Sequence, residues 1–414
     1  MKVFKFGGAS VKDAASVRNI AAVLKTTGCQ DTFMVISAMG KTTNALEEVV
    51  NLYIEKQDYS QNVSEILLKH TAIADELFEN SEELHQKINL IFEDLNDFLD
   101  RNKSPNYSFI YDQVVGVGEL VSTKIVSFYL NSIGIENTWI DVRDYLKTDS
   151  THREGKVDWE TTEKNFNQLE KERFYVTQGF LGSDSNHFTT TLGREGSDYT
   201  AAIIAYCLNA KSMTIWKDVP GVLNADPRYF EETQLLNKIS YEEAIELAYY
   251  GASVIHPKTL KPLRQKGIPF YVKSFLDPEG EGTQIQSEFT LDPFVTCYIL
   301  KKQQNLLTLT SADFSFITED KISKIFHLLH ELNLKVNMMQ NSAISLSLCL
   351  EDKFNHLQQF LDRMKGEYDI EIEKDVSLYT LRHFDEKSDF VSGSGKELLR
   401  QHIKNTLQII VKEE

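Results

Sequence analysis

The sequence predicts an α/β protein: a parallel sheet with crossover helices, followed by a separate ferredoxin-like α+β module. Three observations predict it. Over about the first 275 residues, short apolar runs alternate with segments of helical period. Polar or glycine-rich turns follow those runs, as they do at the carboxyl edge of a parallel sheet. After Val295 the order becomes β-α-β-β-α-β within about 70 residues, the ferredoxin-like plan.

The first strand holds Val3, Phe4 and Phe6 and stops at Gly7-Gly8. Ser16 to Lys25 carries Val17, Ile20, Ala21 and Leu24 at helical spacing, and Phe33 to Ile36 is an apolar run ending at Ser37, as a buried parallel strand does. Such a strand–helix–strand unit needs a crossover helix. From Ala45 to Ser104 the pattern is helical, with one stripe from Val63 to Phe78 and another from Leu84 to Phe98. This stretch holds 5 Lys/Arg against 14 Asp/Glu, a net −9, and reads as a solvated insertion away from the candidate motifs. Alternation then resumes: helix 114–128, strand 137–142, helix 161–171, strand 174–179, helix 197–208, strand 212–217, helix 240–249 and strand 269–274. A boundary is expected near Asp277–Thr290, rich in glycine and charge. The expected division is a catalytic domain over 1–285, with 45–104 as its acidic insertion, and the ferredoxin-like module over 295–375. Residues 376–414 read as strand, polar loop, short helix and strand, about half of a second module.

The composition excludes several classes. The 414 residues carry 44 Lys+Arg against 61 Asp+Glu, a formal charge of −17, with 42% hydrophobic and 25% charged residues. That is an ordinary globular composition, and its acidity opposes nucleic-acid or anionic-membrane binding. MKVFKFGGAS has no signal-peptide core and no apolar run approaches a spanning helix, so a cytoplasmic protein is expected. Cys29, Cys207, Cys297 and Cys349 form no CxxC pair, which suits a reducing compartment and argues against a cysteine-rich metal site. The histidines show no ligand spacing, so no protein-borne metal site is expected; His256 before Pro257 reads as a loop hydrogen-bonding residue and Met338-Met339 as packing.

The chemistry concentrates in the turns. Lys5-Phe6-Gly7-Gly8 lets backbone amides approach phosphate and puts an ammonium at a strand tip, without Walker A spacing. Ser37 to Asn44 places hydroxyls and an amide at the sheet edge, or caps a helix through Thr43 or Asn44. In Thr189 to Asp198, Gly193 and Gly196 permit a tight loop, Arg194 offers a fork for a carboxylate, and Asp198 is a nearby counter-charge or, with Ser197, a helix cap. Trp216 to Gly221 leads to Asp226-Pro227-Arg228, where Arg228 is a candidate phosphate ligand. Gly118-Glu119 opens a helix with a single carboxylate.

In order along the chain, KFGGASV (5–11), VISAMGKTTN (35–44), GEL (118–120), TLGREGSDYTAA (191–202), WKDVPGVLNADPR (216–228) and YGASVIHPKTL (250–260) closely resemble aspartate kinases. The ferredoxin-like segment resembles that family's ACT regulatory module. The resemblance implies the amino acid kinase fold, a mostly parallel sheet between helix layers, and ATP-dependent phosphorylation of the L-aspartate side chain, with Mg²⁺ bound with the nucleotide. It implies a first step towards lysine, threonine and methionine. On the matching positions, Lys5 contacts the phosphoryl groups beside Gly7 and Gly8; Ser37, Thr43 and Ser197 lie near aspartate; Glu119 holds the α-ammonium and Arg194 the α-carboxylate. Asp198 positions Lys5 or the metal-bound phosphates, while Lys217, Asp218, Leu223, Arg228 and Ser253 line the nucleotide. The chemistry agrees: the β-carboxylate is already ionised at neutral pH, so the site needs no general base and must align two repelling anions. A locally basic site around Lys5, Arg194, Lys217 and Arg228 is expected.

The sequence also departs from the family pattern. Ala9 stands where threonine is usual, Leu223 where tyrosine is frequent, Ser253 where lysine is frequent and Glu195 where glycine is usual. Lys217 replaces a frequent threonine and is expected to supply the charge missing at 253. The turn from Ser311 to Ser315 lacks a glycine often used for effector binding, and Asn337 stands where lysine-sensing members often carry aspartate. An effector amino acid other than lysine, or none, is expected, with a homodimer or higher homo-oligomer through the ACT region. The length leaves no room for a fused homoserine dehydrogenase. The competing readings are a kinase of glutamate, acetylglutamate or a nucleotide monophosphate, and a non-catalytic amino-acid sensor.

Overall fold

The computed structural model describes residues 1–252, 255–385 and 395–413, in two compact units. The first unit comprises 1–222, 235–245 and 254–293, and the second 223–234, 246–253 and 294–414, as far as they are described.

The first unit starts with β1 (Lys2–Phe6), α1 (Ala14–Thr27), β2 (Thr32–Ile36), α2 (Thr42–Ile54), α3 (Ser60–Leu77), α4 (Glu82–Arg101) and α5 (Tyr107–Ser132). It continues with β3 (Thr138–Trp139), α6 (Val142–Tyr145), α7 (Trp159–Phe166), β4 (Tyr175–Gln178), the hairpin β5 (Leu181–Ser183) and β6 (Thr189–Thr191), and α8 (Gly196–Cys207). Next come β7 (Ser212–Lys217), β8 (Lys238–Ile239), α9 (Tyr241–Tyr250), which the two units share, α10 (Pro257–Gln265), β9 (Phe270–Ser274) and β10 (Thr283–Ile285). Eight strands form one sheet in the order β3-β4-β2-β1-β7-β9-β10-β8. Every neighbouring pair is parallel except β9 with β10.

The local causes are readable. Every residue of β2 is buried, which explains its unbroken apolar run. Helix α1 starts where Asp13 accepts from Ser16 N at 2.7 Å and ends at Gly28 with φ +76°. Phe6 stacks on Trp216 at 6.0 Å and Phe4 meets its edge at 5.7 Å, tying β1 to β7. His256 caps α10 by accepting from Lys258 N at 3.2 Å, so the expected loop residue is a helix cap. Helix α2 begins at Thr42 after Lys41, without a side-chain cap from Thr43 or Asn44. The expected boundary at 277–290 instead carries β10, because Thr283–Ile285 pairs with β9.

The acidic insertion corrects a second expectation. Val63, Ile66, Leu84, Ile88 and Leu95 are buried in the same apolar cluster as Phe4, Phe6 and α1. Its acids are solvated, yet its third helix reaches the motif turns. In α3, His70 is buried with Nε2 3.4 Å from Thr42 Oγ1, and Thr42 donates to Met39 O at 2.6 Å.

In the second unit, β11 (Cys297–Ser311), α11 (Glu319–Glu331), β12 (Lys335–Asn341), β13 (Ser345–Glu351), α12 (Leu357–Met364) and β14 (Tyr368–Arg382) realise the β-α-β-β-α-β order. With β15 (Lys396–Ile403) and β16 (Thr406–Lys412) they form one antiparallel sheet, ordered β12-β13-β11-β14-β16-β15. Leu307, Leu309, Leu346 and Leu348 pack under the two helices with Leu329 and Phe360. On the other face Leu306, Met338, Cys349, Val376, Leu378 and Ile410 are buried, and Gln401 Nε2 donates to Met339 O at 3.5 Å between the two edge strands. The short helix expected in 376–414 is β15, because in-register pairing with β16 outweighs the local helical pattern. Of the polar loop expected there, residues 386–394 lie outside the described residues.

Candidate active site

The carboxyl ends of β1, β2 and β4 converge with the amino end of α8. Lys5 is buried at the tip of β1, with Nζ 2.5 Å from Asp198 Oδ1 in the first turn of α8. Asp198 is buried as well. Burial opposes its ionisation, but the Lys5 and Lys217 ammonium groups outweigh that and hold its carboxyl below the usual range. The anticipated counter-charge of Arg194 is therefore the partner of Lys5.

Backbone close approach shapes the next wall. A Cβ at Gly8 would lie 2.9 Å from both Ala38 O and Gly40 O, and Gly40 N donates to Gly8 O at 3.0 Å. Only glycine lets the turns after β1 and β2 interlock in this way. Ser122 Oγ donates to Ser37 O at 2.7 Å and fixes the second turn to α5. A Cβ at Gly118 would lie 3.1 Å from both Ala38 Cβ and Thr42 Cγ2, so α5 passes close enough to set Glu119 against the same turn. Glu119 is 3% exposed and its Oε2 has no hydrogen-bond partner. Burial pushes its carboxyl up to about 8, partly offset by the Ala38 amide and the Thr43 hydroxyl.

The fourth wall is the loop before α8. Buried Asp112 accepts from Thr191 Oγ1 at 2.7 Å, Arg153 N at 3.0 Å and His152 Nδ1 at 3.1 Å, which ties α5 to β6 and to the 152–153 segment. Beyond β6, Gly193 has φ +75° and Arg194 is exposed, with no ion pair or hydrogen bond among the described residues. Glu195 has φ +56° and turns its carboxyl toward Asp198, Lys217 and Lys5. Burial and the neighbouring Asp198 raise its pKa.

These walls enclose an open cleft of about 320 Å³ lined by Lys5, Gly8, Ser37, Thr43, Glu119, Arg194, Glu195, Ser197 and Asp198, among others. Gly7 adjoins it, since a Cβ there would lie 3.3 Å from Lys5 Nζ. Lys217 ends β7 and acts on the Glu195–Asp198 pair, and Asp218 is exposed beyond it. Leu223 and Arg228 belong to the second unit, where Arg228 Nη2 pairs with Asp226 Oδ2 at 2.5 Å. Ser253 lies outside the described residues, so the exchange of charge expected between it and Lys217 does too. The cleft is not the basic site expected: Glu119, Glu195 and Asp198 face Lys5 and Arg194. Sequence reasoning missed Asp112 and His70, and it noted Glu195 only as a departure.

Residues 1–274 match the amino acid kinase family. The chain belongs to that family, in its aspartokinase branch. It is 31% identical over 358 residues to the lysine-sensitive aspartokinase 3 of Escherichia coli (strain K12), covering 84% of this chain and 78% of that protein. It is 29% identical over 444 residues to the chloroplastic aspartokinase 3 of Arabidopsis thaliana, covering 98% of this chain and 76% of that one. Against the bifunctional aspartokinase/homoserine dehydrogenase 2 of Arabidopsis thaliana, at 32% identity, the match covers 68% of this chain and 32% of that protein. Escherichia coli aspartokinase III in complex with lysine and aspartate superposes with a TM-score of 0.84 at 26% identity, covering 99% of this chain and 96% of that chain. The same enzyme with aspartate and ADP superposes at 0.81. In this aspartokinase the amino acid kinase sheet and a regulatory α+β unit are the two compact units described above.

Proposed function

We propose that the cleft transfers the γ-phosphoryl group of ATP to the side-chain carboxylate of L-aspartate, with Glu119 and Arg194 holding the amino acid and Lys5 and Asp198 serving the phosphoryl group. One observation carries this reading: a buried carboxyl oxygen without a partner and a guanidinium without a partner line the cleft that holds the Lys5–Asp198 pair. A zwitterionic amino acid supplies the ammonium and carboxylate that complete both. Its second carboxylate is then free to face the phosphoryl site, near the hydroxyls of Ser37, Thr43 and Ser197.

The chemistry is a displacement at phosphorus. A carboxylate oxygen forms the new P–O bond, the bond to the β-phosphate oxygen breaks, and ADP leaves with the electron pair. No proton moves, so no general base is required. Lys5 at the strand tip neutralises charge on the transferring group, and Asp198 fixes the ammonium. Gly7 and Gly8 leave backbone amides free to approach phosphate. On the nucleotide side we read Lys217, Asp218, Leu223, Arg228 and Ser253 by family resemblance.

Mg²⁺ fits as a companion of the nucleotide. Among the described residues no group of three or more His, Cys, Asp or Glu could hold a metal alone. Asp198 and Glu195 offer carboxylate oxygens at the phosphoryl end, a donor set that suits Mg²⁺ shared with phosphates. When bound, the ion supplies charge neutralisation of the phosphate oxygens.

For the second unit we read an amino-acid effector site and self-association. Lysine does not suit position 337, because Asn337 Oδ1 already accepts from Lys301 Nζ at 2.8 Å. Phe314 and Phe316, 77% and 70% exposed, support a contact surface between copies. Among the described residues no helix is long and apolar enough to cross a membrane. The product, an acyl phosphate, suits the first step of a biosynthetic route to lysine, threonine and methionine in the cytoplasm.

Trapping the product with hydroxylamine tests the function. Aspartyl hydroxamate should form with ATP and L-aspartate, with equimolar ADP, and none should form with L-glutamate. Equal turnover of L-glutamate, or ATP consumption without hydroxamate, overturns the assignment.

A further inference from the structure

We propose that Glu195 is a positioning residue for phosphoryl transfer, its carboxyl bracing Asp198 from the side opposite Lys5 and linking Lys217 to the same charge array. The inference rests on the reading of Lys5 and Asp198 as the phosphoryl-transfer pair.

The backbone is the first ground. Glu195 has φ +56° and ψ 27°, a left-handed conformation that costs a side-chain-bearing residue free energy and that glycine adopts readily. It immediately precedes α8, where a side chain usually repays its position by capping the first amides, yet Glu195 makes no cap hydrogen bond. Local helix stability does not account for a glutamate here.

The side chain supplies the second ground. Glu195 lines the cleft beside Lys5 and Asp198. Its carboxyl hydrogen-bonds with that of Asp198 and interacts with Lys217 and Lys5. Two carboxyl groups in hydrogen-bond contact share one proton. Burial and Asp198 favour that proton on Glu195, while Lys5 and Lys217 keep Asp198 ionised. Asp198 is therefore held from two directions, by an ammonium at 2.5 Å and by a carboxyl O–H. Lys5 sits on a buried strand and Asp198 on a helix turn, so a braced Asp198 transmits a fixed orientation to the Lys5 ammonium. Backbone strain beside a reacting group is tolerated where it places such a side chain.

The test compares Glu195→Gly, Glu195→Gln and Lys5→Ala by steady-state kinetics with thermal unfolding. Glycine relieves the left-handed strain and deletes the brace. Its melting temperature should rise by roughly 1–3 °C while kcat falls about tenfold and the KM for aspartate stays within about twofold. Glutamine still donates to Asp198 and should keep kcat within about threefold of wild type. Wild-type kcat in Glu195→Gly, with Lys5→Ala nearly inactive, overturns the role of Glu195 alone. An equal fall in both Glu195 variants with a lowered melting temperature also overturns it, because the effect is then fold damage. Wild-type kcat in Lys5→Ala overturns the underlying pair and this inference with it.

Discussion

In the kinase unit Glu119 keeps a buried oxygen without a hydrogen-bond partner and Arg194 keeps a guanidinium without an ion pair. In the second unit Lys301 Nζ donates to Asn337 Oδ1 at 2.8 Å, and Asn337 Nδ2 donates to Gln304 Oε1 at 2.7 Å. A buried polar group left unpaired costs about 1–3 kcal/mol, which a fold retains where a ligand later satisfies it. The first region thus holds valences open for a substrate. The second closes its polar groups on one another, and at that place it is built as interior.

The comparison breaks most visibly at Lys5. Lys5→Ala should lower kcat by about 10²–10³-fold with a small change in the KM for aspartate, because its ammonium meets charge that develops during transfer. Arg194→Ala should do the reverse, raising the KM for aspartate by roughly 10–100-fold with kcat nearly kept. A matching loss of kcat in Arg194→Ala would place the guanidinium at the reacting end of the substrate and undo the division of labour.

Glu119 gives a smaller, pH-dependent effect. Its carboxyl titrates at about 8 in the ligand-free fold and must be ionised to hold an ammonium. Aspartate binding at pH 7 should therefore release close to one proton, and the Kd should tighten about fivefold between pH 7 and 8. Stability has the opposite sign. A carboxyl raised from 4.5 to about 8 gives the fold an extra proton in that window, so its contribution is full below 4.5 and is lost as pH rises through 8. Calorimetry of Glu119→Gln in buffers of different ionisation enthalpy should show no proton release, and its stability should lack that decline. Proton release that persists in the variant would assign it elsewhere.

The legible and illegible parts divide for physical reasons. Ser212–Lys217 is readable to the residue because a fully apolar strand between turns has one solution, and the motif turns are readable because they follow such strands. Lys5 and Arg194 stand out as charges in glycine-rich turns. Burial is what the sequence hides: Glu119 looks like a solvated first-turn acid and is 3% exposed in the middle of α5. Glu195 is hidden too, since no composition rule reports φ +56° at a non-glycine residue. Asp112 and His70 act through contacts 79 and 28 residues away, with Thr191 and Thr42, beyond any local pattern. At β15 the local pattern actively misleads, because its conformation comes from pairing with β16.

The smallest expected effect tests the closed half of the comparison. Lys301 sits in the strand segment paired with β14, with an amide rather than a carboxylate as its hydrogen-bond partner. Burial first, then the Lys335 charge, lowers its pKa from 10.5 to about 8. Between those values the unfolded chain binds more protons than the fold, so stability rises with pH from about 8 to about 10.5 and the charged lysine is a cost below that window. Lys301→Met removes the titrating group and keeps most of the apolar stem. The wild-type minus variant difference in melting temperature should therefore grow more positive by a few degrees between pH 7.5 and 10. Free lysine should leave the kinetics of the wild type unchanged, since Asn337 Oδ1 already holds an ammonium from within the chain. A pH-independent difference, together with inhibition by lysine, would mean that this amide is an open site like Glu119, and the contrast between the two regions would fall.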